Sequence, residues 1–170
     1  MPGNWVNVRR LATAKMRSML RERLNETLKS SMKDKNPVAV STLRLILTAI
    51  KDRDIAARSK GVDDGIGDAE ILQVLQTMVR QRHDSIEMYK QGNRPELAER
   101  EAEEIKVIES FMPRQLDNAE IEAAIAAVIE ETGASSVKDM GKAMGSLRER
   151  YAGQMDFGKA SAMLKAKLSG

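Results

Sequence analysis

Glu101–Leu116, EAEEIKVIESFMPRQL, is the stretch that decides how this chain is divided. Ile105, Ile108 and Met112 recur at spacings of three and four with acids between them, the pattern of an amphipathic helix. Pro113 has no backbone N–H to donate, and its ring disfavours helical geometry at Met112, so the spacing predicts a helix that stops there. Four residues on, Asp117-Asn118-Ala119-Glu120 places an acid three positions before a glutamate. That is a capping-box pattern, in which each end satisfies an orphan backbone N–H of the other. Met112–Leu116 therefore reads as the joint between a larger N-terminal part, residues 19–113, and a smaller C-terminal part, residues 114–170.

Outward from that joint the chain reads as helix throughout. Before it come four helices of bundle type. The first is Met19 to about Lys33, with Leu20, Leu24, Leu28 and Met32 inward. The second runs from Pro37 to Arg58, with Asn36 as cap and Leu43, Ile46, Leu47, Ile50 and Ile55 inward. The third starts near Asp68 and carries Ile71, Leu72, Leu75, Met78, Val79, Ile86 and Tyr89. The fourth opens at Pro95. Between the second and third, SKGVDDGIG (59–67) has the composition of a flexible loop. After the joint come three shorter helices: Asn118–Thr132 with Gly133 as C-cap, Val137–Tyr151, and a last one capped by Asp156. The expected fold is all-α, a four-helix part followed by a small three-helix domain, with no strand signal and no internal repeat.

Composition narrows the chemistry. The chain has no Cys and one His, so a thiolate or His-rich metal site is excluded, and we expect neither metal nor cofactor. No apolar run approaches the roughly 20 residues of a membrane span. Charge is unevenly placed. Residues 1–60 carry fourteen Lys/Arg against five acids, residues 61–134 seven against seventeen, and residues 135–170 seven against three. Basic ends flanking an acidic middle suggest a polyanion-binding surface at one or both ends. Residues 1–18 contain Arg9, Arg10, Lys15 and Arg17 and no acid. They read as a basic N-terminal extension, and the expected location is the cytoplasm. The mitochondrial matrix is the alternative if this Arg-rich segment is a transit peptide.

Candidate catalytic groups fail on spacing. Ser30 and Ser31, with Lys33 nearby, are adjacent and so do not face each other on a helix, and no glycine-rich turn offers an oxyanion hole. His83 has Asp84 beside it in sequence, which points elsewhere. We expect no catalytic residue. Glu101 or Glu104 is expected instead to pair with Arg44 or Arg82 of neighbouring helices, setting register. Gly141 and Gly145, four apart in DMGKAMGS, each need a reason, since mid-helix glycine costs about 1 kcal/mol relative to Ala. Spacing favours close packing of a helix on both; the alternative is close approach of a phosphate backbone.

The succession STLRLILTAIK, QRHDSIEMYKQGN, EAEEIKVIESFMPRQL, DMGKAMGSL and YAGQMDFGKAS resembles the YqeY family from about Met19 to Gly170. That family is similar to the tail of GatB, a subunit of the tRNA-dependent amidotransferase. The resemblance implies a four-helix part followed by a three-helix tail domain. It also implies contact with tRNA without chemistry, or else a carbon–nitrogen ligase activity using glutamine as nitrogen donor, or an accessory role to one. Docking onto an amidotransferase or an aminoacyl-tRNA synthetase through the acidic fourth helix is a third reading. The residues expected to meet nucleic acid are Lys138, Lys142, Arg148, Arg150, Lys159, Lys165 and Lys167. The chain departs from the family pattern at Gly153–Gly158, where GQMDFG replaces what is more often an Arg-containing turn.

Overall fold

The computed structural model describes residues 19–170, and among these every regular element is a helix. The basic segment 1–18 lies outside the described residues. The chain divides into two compact units, the first ending at Phe111 and the second spanning Met112–Gly170.

The first unit holds α1 (Met19–Lys33), α2 (Pro37–Arg58), α3 (Asp68–Gln91) and α4 (Pro95–Glu109). α1 buries Leu20 and Leu24, but Met32 is 52% exposed and Ser31 is buried in its place. A four-residue repeat advances about 40° per step on a 3.6-residue helix, so the stripe begun at Leu20 has rotated out of the core three steps later. α2 starts where Asn36 accepts the Ala39 N–H at 3.1 Å, with Pro37 in its first turn. Leu43, Ile46 and Ile50 are its buried face, and Ile55 faces outward at 54% exposure. α3 buries Ile71, Val74, Leu75, Met78 and Ile86, and Ile86 packs with Ala98 and Ile105 of α4.

Two expectations are corrected here. α4 ends at Glu109, short of Pro113: Ser110 Oγ donates to the Val107 carbonyl, and Phe111 folds back, buried, with Arg23 5.5 Å from its ring centroid. The α2–α3 loop is tied down. Arg21 donates to both carboxylate oxygens of Asp54, at 2.8 and 3.0 Å, and to the Ile66 carbonyl. The Ile66 N–H returns to Asp54 at 2.8 Å, and the Ile66 side chain is buried. Gly65 sits at φ +84, where a Cβ would stand 3.0 Å from both Arg21 Nη2 and Asp54 Oδ1. Only glycine fits this clasp.

The second unit holds α5 (Asn118–Thr132), a 3-10 turn at Val137–Asp139, α6 (Met140–Arg150) and α7 (Phe157–Ser169). α5 begins in a full capping box: Glu120 N–H donates to Asp117 at 2.8 Å, and Asp117 N–H donates to Glu120 at 2.9 Å. Arg114 also reaches Glu120. The sixth segment begins as a 3-10 turn because Asp139 reaches back to accept the Ser135 and Ser136 N–H groups. Asp156 caps α7 through Gly158 N–H. The core is entirely apolar, centred on Ile125, Val128, Leu147, Met155 and Leu164. The GQMDFG turn works as a clasp on the entering chain. Gln154 O accepts from Leu116 N–H at 2.8 Å and Gly153 O from Gln115 Nε2 at 2.7 Å, with Gly153 at φ +75.

Candidate functional site

Two kinds of charged arrangement are candidates, and the structure separates them. The first lies inside the N-terminal unit. Arg82 Nε donates to Glu104 Oε2 at 3.0 Å from α3 to α4, and Arg82 Nη1 donates to the Met78 carbonyl. The Arg82 and Glu104 side chains are 11% and 9% exposed. Arg100 stands 3.7 Å from the same carboxylate, one turn along. Glu101, half-buried, and Arg44, exposed on α2, join no ion pair with each other or with Arg82 and Glu104. An ion pair this dry fixes how α3 and α4 register.

The Arg21–Asp54 pair behaves similarly. Its guanidinium is the largest influence holding the Asp54 carboxyl below the usual carboxylate range. Nearby, burial pushes Asp68 the other way, against a hydrogen bond from the Leu20 backbone.

The second arrangement is the set of cations on α6, α7 and the turn before them. Residues 112–170 carry eight Lys/Arg and eight Asp/Glu, so this unit has no net charge. α5 and its approach hold most of the acids, while α6 and α7 hold the cations. Three of the seven expected contact residues already have partners within the unit. Arg150 pairs with Glu131, which lowers the Glu131 carboxyl and raises the guanidinium. Arg148 lies 6.0 Å over the Phe157 ring. Lys159 Nζ donates to Asn118 Oδ1. Lys138, Lys142, Lys165 and Lys167 are exposed; the Ser135 and Ser136 N–H groups hold the Asp139 carboxyl low, with Lys142 a smaller influence. Lys165 and Lys167 are two residues apart, hence about 160–200° apart around α7, so the seven do not form one patch.

The close-packing expectation for Gly141 and Gly145 is corrected. Both are exposed, and a Cβ built at either meets nothing within 4 Å among the described residues. α6 buries Ala143, Met144 and Leu147, which puts the glycines on its outer side beside Lys142. What this face offers is bare helix backbone between lysines.

A cleft of about 530 Å³ opens in the N-terminal unit between the start of α2 (Pro37, Val38, Ser41) and α4 (Glu96, Glu99, Arg100, Glu103). Its three glutamates are exposed, and Ser41 Oγ donates to the Val38 carbonyl. It has no activated nucleophile and no buried acid. Among the described residues no cluster of three His, Cys, Asp or Glu could hold a metal, and no helix is long and apolar enough to cross a membrane.

A family profile described as Yqey-like protein matches residues 21–168. Among curated relatives, altered inheritance of mitochondria protein 41, mitochondrial, of Lachancea thermotolerans is 28% identical over 151 residues, covering 85% of this chain and 76% of the relative. Its namesake in Kluyveromyces lactis is 32% identical over 88 residues, covering 52% and 45%. That of Pyrenophora tritici-repentis is 25% identical over 150 residues, covering 85% and 80%. These names overturn the cytoplasmic expectation: the relatives are mitochondrial proteins by name. The absence of Cys fits a reducing compartment, which does not separate the cytosol from the matrix.

Proposed function

This chain belongs to the YqeY-like family, and from that premise we propose that it serves glutamine-dependent carbon–nitrogen ligation on tRNA as an accessory. It holds the tRNA or the ligase and makes no bond itself. We place this work in mitochondria, following the names of its relatives. The observation that carries the reading is the outer side of α6. There Gly141 and Gly145 leave open backbone beside Lys138 and Lys142, at a cost in helix propensity that no packing inside the unit repays. A sugar–phosphate backbone can approach such a face closely, and duplex RNA is recognised largely by shape and backbone.

The test pairs two assays. The purified chain is titrated with a tRNA transcript, alongside K138E/K142E, and each is also assayed for transfer of glutamine-derived nitrogen. The reading expects binding that the double variant weakens at least tenfold, and no transfer by the chain alone. Transfer by the chain alone, or binding indifferent to the double variant, contradicts it.

A second reading is favoured by the α2–α4 cleft, whose exposed Glu96, Glu99 and Glu103 suit a cationic segment of an amidotransferase or synthetase. Capture of the ligase that is lost in E99K/E103K is the outcome this reading expects; capture unchanged by the double variant removes it.

A further inference from the structure

The exposed face of α2 carries charge that no ion pair among the described residues consumes. Arg44, Thr48, Lys51, Ile55 and Arg58 follow one another at i, i+4, i+7, i+11 and i+14, and all five are exposed. At 1.5 Å per residue the three cations stand about 10 Å apart on a line about 21 Å long. No acid interrupts the row. Asp52 is turned about 100° away from Lys51 around the helix, and Asp54 is held by Arg21, with Arg58 adding to its field. None of Arg44, Lys51 and Arg58 takes part in the ion pairs that brace the described residues. By contrast, Arg148, Arg150 and Lys159 of the C-terminal unit are all engaged within their own unit.

We infer that the Arg44–Lys51–Arg58 ridge of α2 is a second binding surface for the backbone of duplex RNA. A single phosphate needs cations that converge, and these stand side by side. A lipid surface needs a continuous apolar face to insert, whereas Leu43, Ile46 and Ile50 of α2 are buried, and its exposed Leu45 and Ile55 stand about 15 Å and about 80° apart on the helix. Single-stranded bases need aromatic platforms, and the row has none. A row of separate cations about 21 Å long can instead lie along a duplex and meet several phosphates, one cation to each. The inference rests on the proposal that the chain handles tRNA, and adds which face of the N-terminal unit does so.

The experiment measures anisotropy of a labelled tRNA transcript with the full chain, R44E/K51E/R58E and K138E/K142E at about 50 and 200 mM salt. Each phosphate contact contributes a slope of about 0.9 in log affinity against log salt. The ridge variant is therefore expected to lower the slope by about three, so that its affinity falls about 40-fold less between the two salts than that of the unaltered chain. R44Q/K51Q/R58Q is expected to do the same, and thermal melts check that both variants fold. An unaltered slope in both ridge variants, with K138E/K142E still weakening binding, overturns the ridge and leaves the proposed function standing. Absence of binding by the unaltered chain at both salts overturns both. Vesicles of phosphatidylcholine and phosphatidylserine form a further arm, and binding to them with none to tRNA overturns the ridge as an RNA surface.

Discussion

The two units use charge in opposite ways. In the N-terminal unit, charged side chains cross between elements in buried or half-buried places: Arg82 to Glu104 joins α3 to α4, and the half-buried Arg21–Asp54 pair joins α1, α2 and the loop before α3. In the C-terminal unit the core is wholly apolar, and its ion pairs, Arg114–Glu120 and Arg150–Glu131, lie at the surface. Longer helices, in contact along more of their length, need something to choose among near-equal registers, and buried pairs can supply that. The short helices of the second unit are placed by their ends instead, through the Asp117–Glu120 box, the Asp139 turn and the Asp156 cap. Removing surface charge from the second unit should cost it little stability, whereas the first unit should tolerate such change only on its outer faces.

The contrast can be broken at several points. The largest expected effect is in the apolar core: Leu164→Ala should destabilise the C-terminal unit by about 3–4 kcal/mol, seen in urea melts. Glu104→Ala should cost the N-terminal unit about 3 kcal/mol, since it strands the Arg82 guanidinium in a dry site. Arg150→Ala at the surface should leave the melting midpoint where it was. If the two arginine-pair variants melt alike, the distinction between the units fails. Asp117→Ala, which removes a cap rather than a contact, should cost about 1 kcal/mol. Gly141→Ala and Gly145→Ala carry the opposite sign. Each should stabilise α6 by about 0.5–1 kcal/mol, because the new methyl meets open space. Each should also weaken tRNA binding if the face is used as proposed.

The smallest effect is a pH dependence within the first unit. Asp54 is held below its ordinary value when folded, so its stabilising contribution is present above the ordinary carboxylate range and is lost as pH falls through the lowered value. Asp68 is raised when folded, so its charged form opposes folding, and that cost is relieved as pH falls through the raised value. Acid melts should show Asp54→Asn removing a loss of stability on acidification, and Asp68→Asn removing a gain.

Much of this was legible in the residues. Apolar spacing gave seven helices in order, and the capping residues Asn36, Asp117 and Asp156 can be read directly because a cap is a local event within three residues of chain. What the residues alone do not carry is relation across the chain. Leu20, Leu24, Leu28 and Met32 look equivalent on paper, yet slow rotation of a four-residue repeat takes Met32 into solvent. SKGVDDGIG has the composition of a loose loop, but Asp54, 12 residues before Ile66, and Arg21, 45 residues before it, bind it. A signal was present there: Ile66 is an isolated apolar residue between glycines and has a reason to be buried. The glycines of α6 had two readings, helix packing or an approaching phosphate, and only a third dimension removes the first. Among the expected contact residues, the ties of Arg148, Arg150 and Lys159 to their own unit depend on which helices lie together. The α2 ridge was visible as spacing, but its cations could have been partnered inside the bundle, as was expected of Arg44.

The account stands on binding through charge without bond-making, and titration of the unaltered full chain with a tRNA transcript at about 50 and 200 mM salt tests that most directly. The expected result is affinity that falls more than a hundredfold between the two, with no nitrogen transferred to the RNA. Affinity that does not change with salt, or no association at the lower salt, would contradict it.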